Sequence, residues 1–139
     1  MVNTICICGA GTMGSGIAQV AAQAGYATIL YEVSPSVLEK AKTGIEKNLQ
    51  ALVEKGKISD HEKARIFSSI KFTGTIGDCK ADVFIEAIVE KTEIKIALFN
   101  QLAELNAPDS IFASNTSSLS VNDIAAQVKH PGRMIGMHF

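Results

Sequence analysis

The chain has 139 residues, with 13 Lys and Arg against 14 Asp and Glu, for a net charge of −1. That length suits one domain, able to bury roughly 70% of its unfolded surface without a disulfide or metal staple. The near-neutral balance excludes the strong field that nucleic acid or anionic lipid would need. No run approaches the ~20 apolar residues of a membrane span, and Met1-Val2-Asn3 lacks the basic flank of a signal peptide. A cytoplasmic domain with no nucleic-acid, membrane or metal partner is expected.

Thr4 to Cys8 (TICIC) reads as a buried strand that runs straight into a glycine-rich turn. Cys6 and Cys8 share one face of it and, with Cys79, are expected as buried, reduced thiols. From Met13 the period becomes helical through Ile17, Val20, Ala21 and Ala24, with Gly25 as the stop, and Ala27 to Tyr31 is the second strand. Ser34-Pro35 predicts an N-cap and first turn for a long helix with its buried stripe on Leu38, Ala41, Ile45, Leu49 and Leu52, ended by Gly56. Ser59 and Glu62 form a capping box for SDHEKARIFSSI, and a strand follows at Ile70 to Phe72.

The alternation continues with DVFIEAI as a buried strand, KTEIKIALFNQLAEL as a helix and SIFAS as a strand. Ser120 with Asp123 caps VNDIAAQV, and RMIGMHF is the expected final strand. Strands alternating with helices in this way predict an α/β fold of the Rossmann type, a doubly wound and mainly parallel sheet covered on both faces.

The turn after the first strand contains Gly9-x-Gly11-x-x-Gly14. The first glycine permits a tight turn, the second lets a pyrophosphate reach the backbone, and the third lets the helix pack on the strand. The pattern follows a strand, opens a helix, and has Glu32 at the end of the second strand. That context makes dinucleotide binding by Gly9, Gly11, Thr12, Met13 and Gly14 the expectation. Glu32 can accept both hydroxyls of an adenosine ribose, and its charge with no Arg in the following VSPS favours NAD over NADP. The same fingerprint also serves FAD, so these residues leave a flavin open.

From GAGTMGSGIAQVAAQAGY onward the chain resembles the NAD-binding domain of the L-3-hydroxyacyl-CoA dehydrogenases. EAIVEKTEIKIALF, SNTSSL and GMHF carry the resemblance further, over essentially the whole chain, and it is close to the short-chain, bacterial-type 3-hydroxybutyryl-CoA branch. It implies NAD as cofactor, an acyl-CoA substrate, and interconversion of L-3-hydroxyacyl-CoA and 3-ketoacyl-CoA in fatty acid or butanoate metabolism.

Residue by residue, the resemblance puts Glu90 and Lys95 near the nicotinamide end of the cofactor and Asn115 beside the nicotinamide ribose. Lys91 and Lys95 are also like charges at i and i+4. Such a pair is mildly destabilising, by about 0.2 to 0.5 kcal/mol, unless an anion compensates. Ser117 is implied to bond the 3-oxygen of the substrate and His138 to be the base. An imidazole, with an ordinary pKa of ~6.5, is suited to taking a hydroxyl proton at cellular pH. Lys55 matches a contact to coenzyme A, Asn48 stands where some members have Ser, and Lys57 lies in the same region. His61 and His130 lack any motif and read as surface residues.

The family completes its site with a Glu beyond this His and an Asn from a helical second domain, through which it dimerises. Residues 1–139 are therefore expected as the dinucleotide-binding domain alone, truncated before that helical domain and poorly active by itself. A flavin module and a non-catalytic structural relative are the rival readings.

Overall fold

The computed structural model describes all 139 residues. Thr4–Cys8 forms β1, and Gly9 leaves it at φ 104° into α1 (Thr12–Gln23). This helix buries Gly14, Ile17, Ala18, Ala21 and Ala22, an i, i+3, i+4, i+7 stripe of mostly small residues that seats it close to the sheet. Val20 and Ala24, expected in the helical period, are instead exposed, because the buried face is turned toward Ala18 and Ala22. Gly25, at φ 95°, supplies the left-handed turn into β2 (Ala27–Tyr31).

Helix α2 (Pro35–Glu54) begins with proline in its first turn, where a missing N–H costs nothing. Ser34 holds the N-cap position, but its side chain makes no capping bond; its hydroxyl pairs with that of Ser36 at 3.1 Å. Helix α3 (Asp60–Ser68) has the full capping box: Glu62 N–H donates to Ser59 Oγ at 3.1 Å and Ser59 N–H to Glu62 Oε2 at 2.9 Å. Then come β3 (Ile70–Thr73), β4 (Val83–Glu86), α4 (Thr92–Leu105), β5 (Ile111–Ser114), α5 (Val121–Ala125) and β6 (Met134–Gly136).

The six strands run in the order β3-β2-β1-β4-β5-β6, and every pairing is parallel. This is the doubly wound arrangement that the alternation predicted, wholly rather than mainly parallel. Three elements are shorter than the sequence suggests. The apolar run DVFIEAI leaves the sheet at Glu86, and α5 ends at Ala125. The last strand covers only Met134 to Gly136, because Arg133 closes a 3-10 turn opened by Pro131 and β5 has already ended at Ser114. Met137 N–H still reaches Ser114 O at 2.9 Å, whereas His138 and Phe139 lie beyond the ladder.

Period-two alternation sorts the core into two halves. On one face Ile7, Val83, Ile85 and Ala113 pack under α1, α2 and α3. On the other, Cys6, Phe84, Phe112 and Met134 stand side by side across four strands, in register. Phe112 stacks on Phe84 with centroids 5.3 Å apart and meets the edge of Phe99 at 6.0 Å. The three cysteines are free and buried, as expected, with Cys6 and Cys8 Sγ 4.0 Å apart. Hydrogen bonding among the thiols, with burial, pushes the Cys6 and Cys79 thiols far up, so they are chemically quiet.

No helix is long and apolar enough to cross a membrane. Beside α1 the sheet leaves an apolar hollow of about 280 Å³ lined by Ile5, Ile17, Val20, Val83, Met137 and Phe139.

Candidate cofactor site

Strands β1 and β4 are neighbours whose following helices leave to opposite faces, which opens a crevice above their carboxyl ends. The crevice is a cleft of about 470 Å³ reached by Gly9, Gly11, Glu32, Val33, Ile88 and Val89 among others. A second hollow of about 450 Å³ lies at the amino edge, where Lys80, Asp82 and Arg133 are already engaged by the chain. There Asp82 accepts from Asn3 and Thr4 N–H, while Lys80 and Arg133 donate to the carbonyls of Leu105 and Asp109. Free recognition groups collect at the carboxyl edge.

The three glycines of the turn have different physical reasons. A Cβ on Gly14 would sit 1.7 Å from Gly9 O, and one on Gly9 would sit 2.6 Å from Ala87 O, besides facing a positive φ. Both are required by the fold itself. Gly11 is exposed, has φ −66°, and a Cβ there would meet nothing within 4 Å. Nothing inside the chain demands glycine at this position, whereas an anion against the backbone would.

Thr12 and Met13 are exposed in the first turn of α1, whose N-cap makes no side-chain bond and whose first turn carries no acidic residue. The positive end of the helix is thus left open toward the cleft, the arrangement that favours a bound phosphate. Glu32 ends β2 with Oε2 accepting from Ala10 N–H at 3.1 Å and Oε1 from Ser34 N–H at 3.0 Å. Each oxygen keeps a lone pair, so the anchored carboxylate can still accept ribose hydroxyls. Bare Gly11, the uncapped helix and the anchored acceptor together fit a dinucleotide.

The β4–α4 turn and the β5–α5 loop form the other side of the site. Lys95 is wholly buried, with Nζ 2.5 Å from Glu86 Oε1 and 3.0 Å from Glu90 Oε1. The anions that offset its repulsion with Lys91 therefore come from the chain itself. Glu90 is half exposed, and its Oε2 accepts from Thr116 Oγ1 at 2.6 Å and Ser118 Oγ at 3.2 Å. The Thr116 hydroxyl, with Lys95 beside it, holds the Glu90 carboxyl below the usual range.

Asn115 receives the Phe139 N–H on Oδ1 at 3.0 Å and donates its own N–H to Glu86 O at 2.9 Å. Ser117 and His138 are exposed at this same edge, on segments that Asn115 ties together. Asn48 lies apart, in a groove of about 320 Å³ between α1 and α2, where its Nδ2 donates to Gln19 Oε1 at 3.3 Å. Lys55 is exposed at the C-terminal end of α2, as is Lys57 just past it. Seven residues of helix put Asn48 and Lys55 on one side, about 10 Å apart along the axis. His61 is exposed and His130 half-buried at the start of the 3-10 turn.

The pattern of the sequence does not single out Glu86, Ser114 and Thr116, yet all three are buried at the heart of this edge. One signal was available: Glu86 is a charge inside the apolar run DVFIEAI, and a charge in a buried strand needs a partner.

Residues 4–139 match the family described as 3-hydroxyacyl-CoA dehydrogenase, NAD binding domain. The chain belongs to this family. Membership decides between the two dinucleotides that the glycine turn left open, in favour of NAD. A 3-hydroxyadipyl-CoA dehydrogenase of Escherichia coli is 42% identical over 139 residues, covering 99% of this chain and 29% of that protein. A 3-hydroxybutyryl-CoA dehydrogenase of Clostridioides difficile is 43% identical over 136 residues, 97% of this chain and 48% of the relative. The crystal structure of 3-hydroxybutyryl-CoA dehydrogenase from E. coli superposes with a TM-score of 0.96 at 41% identity, over 100% of this chain and 30% of that one. The chain thus spans half or less of the length of the relatives it matches.

Proposed function

We propose that the chain is the NAD-binding part of an L-3-hydroxyacyl-CoA dehydrogenase acting on short acyl chains of the 3-hydroxybutyryl-CoA type, in fatty acid or butanoate metabolism. The observation that carries this reading is Gly11, bare and unconstrained by its own fold, between an uncapped α1 and the anchored Glu32. Glu32 receives the adenosine ribose hydroxyls. Gly11, Thr12 and Met13 form the bed for the pyrophosphate on a turn that Gly9 and Gly14 shape, and Glu90 and Asn115 belong to the nicotinamide end, with Lys95 buried behind Glu90.

NAD, when bound, supplies the acceptor for the hydride that leaves C3 of the substrate. His138 takes the hydroxyl proton on a ring nitrogen, and Ser117 orients the oxygen that loses it. In the reverse direction the protonated imidazole returns that proton to the 3-oxygen. Both side chains are exposed at the carboxyl edge, which supports these roles. Asn48 and Lys55, on one side of α2, serve the coenzyme A moiety, Lys55 by charge and Asn48 by hydrogen bonding.

The relatives' greater length and the apolar hollow at Met137 and Phe139 support a second, helical domain that completes the site and carries a homodimer interface. The three free thiols fit a reducing, cytoplasmic setting. Residues 1–139 alone therefore bind NAD but turn over little, since an imidazole without its orienting partner loses direction and basicity.

Calorimetric titration with NAD and NADP, together with NADH formation from 3-hydroxybutyryl-CoA, tests the reading. NAD binding with NADP discrimination and scant turnover is expected. Absence of NAD binding refutes the cofactor assignment, and rapid turnover by the isolated chain refutes its incompleteness.

A further inference from the structure

Glu86 joins more of the carboxyl edge than any residue named for the cofactor. It is paired in register with Cys8 on one side and Ser114 on the other, with its side chain on the α4 face of the sheet, beyond Cys6 and Phe84. Oε1 accepts from Lys95 Nζ at 2.5 Å and from Ile88 N–H at 2.8 Å, and Oε2 from the Ser114 hydroxyl at 2.6 Å. Its carbonyl accepts from Asn115 N–H at 2.9 Å. Lys95 passes the connection to Glu90, which holds Thr116 and Ser118. Thr116 in turn receives Leu119 N–H at 3.0 Å. No buried side-chain polar atom is left without a partner.

Stability is a poor explanation for this arrangement. A buried ion pair stabilises little relative to a well-packed apolar pair, because desolvation consumes most of the attraction. What a fully satisfied buried network does provide is one fixed geometry for the segments it joins. The segments here are the β4–α4 turn and the β5–α5 loop that presents Asn115 and Ser117.

We propose that Glu86 is a positioning residue for the nicotinamide end of the site: through Ser114 and Lys95 it holds the loop bearing Asn115 and Ser117 in one register against the β4–α4 turn. The proposal rests on the NAD reading above. Its action falls mainly on this side, because the Glu32 carboxylate is held by Ala10 and Ser34 N–H, contacts that do not involve Glu86.

The test compares NADH with ADP, which lacks the nicotinamide and the ribose that carries it, on the 139-residue chain and three variants. Ser114→Ala removes the hydroxyl that ties Glu86 to β5. Glu86→Gln keeps the shape and an acceptor for Ile88 N–H but removes the charge. Ser114→Thr keeps the hydroxyl.

The wild type is expected to bind NADH more tightly than ADP and to shift the emission of the bound dihydronicotinamide. Ser114→Ala and Glu86→Gln each lose about tenfold in NADH affinity, the scale of one charge-assisted hydrogen bond, with ADP changed less than about twofold. Ser114→Thr retains the wild-type difference. Should Glu86→Gln fail to fold, Ser114→Ala carries the test alone.

Parallel loss of both ligands, unchanged affinity for both, or equal wild-type affinity for the two would each overturn the proposal. A wild type that binds neither ligand overturns the cofactor reading itself, and the proposal with it.

Discussion

Replacing Gly14 and Gly11, one at a time, by alanine separates a glycine that the fold needs from one that the ligand needs. At Gly14 the new methyl group would lie 1.7 Å from Gly9 O, a backbone atom that no rotamer change can remove. Relief requires α1 to move off β1, opening the stripe of Ile17, Ala18, Ala21 and Ala22 that seats it. Overpacking alone costs about 1 to 3 kcal/mol, and displacing a buried helix takes the expected loss to about 3 kcal/mol or more. With an unfolding entropy of about 2.1 cal/mol/K per residue, that is a fall in Tm of roughly 10 °C.

At Gly11 the same methyl group meets nothing, and φ −66° suits alanine. The lower unfolded-state entropy of alanine and its weaker N-cap preference offset each other to within about 1 kcal/mol, so Tm should move by no more than about 3 °C. NAD affinity should nevertheless fall by about tenfold or more, since the methyl group occupies the approach of the pyrophosphate. Thermal melts by circular dichroism and calorimetric titration with NAD on both variants give the two readouts. A Gly11→Ala chain that binds NAD like the wild type, or a Gly14→Ala chain that melts with it, would refute the reasoning.

Other substitutions probe the remaining parts of the site. Glu32→Ala should cost NAD affinity while narrowing the discrimination against NADP, measured by parallel titrations, because the charge that repels a 2′-phosphate is gone. Lys95→Met leaves Glu86 buried without its counter-charge and should destabilise by about 3 to 5 kcal/mol, and Glu86→Gln added to it should recover much of that loss in denaturant titration. Glu90 has a folded pKa below its unfolded value of about 4.3, so its contribution is full above that pH and is lost as pH falls through the folded pKa. Thr116→Val should therefore lower Tm near neutral pH, and the gap to the wild type should narrow in melts taken at progressively more acid pH, down to the part due to the lost Leu119 N–H bond. Phe112→Ala empties the contact with Phe84 and Phe99 and should cost about 3 to 5 kcal/mol in the same denaturant assay.

Much of this architecture was legible along the chain because its causes are local. The capping box of Ser59 and Glu62 and the left-handed stops at Gly25 and Gly56 each depend on residues within two turns of one another. The glycine turn followed by Glu32 at the end of β2 belongs to the same class, since one strand-helix-strand unit contains all of it. Alternation in VFIE likewise sets Phe84 and Glu86 on one face before any partner is known.

What the chain could not specify locally is which distant groups meet. Ser114 reaches Glu86 across 28 residues and Thr116 reaches Glu90 across 26, contacts that exist only because β4 and β5 pair in one register. The packing of α4 against the end of β4 made Lys95 a buried partner of two carboxylates, and the end of β5 at Ser114 stopped β6 at Gly136. The order of the glycines in the turn already assigns Gly14 to the fold and Gly11 to the pyrophosphate, but only the packing of α1 on β1 supplies the reason, since it puts a backbone oxygen where a Gly14 Cβ would stand and leaves Gly11 open.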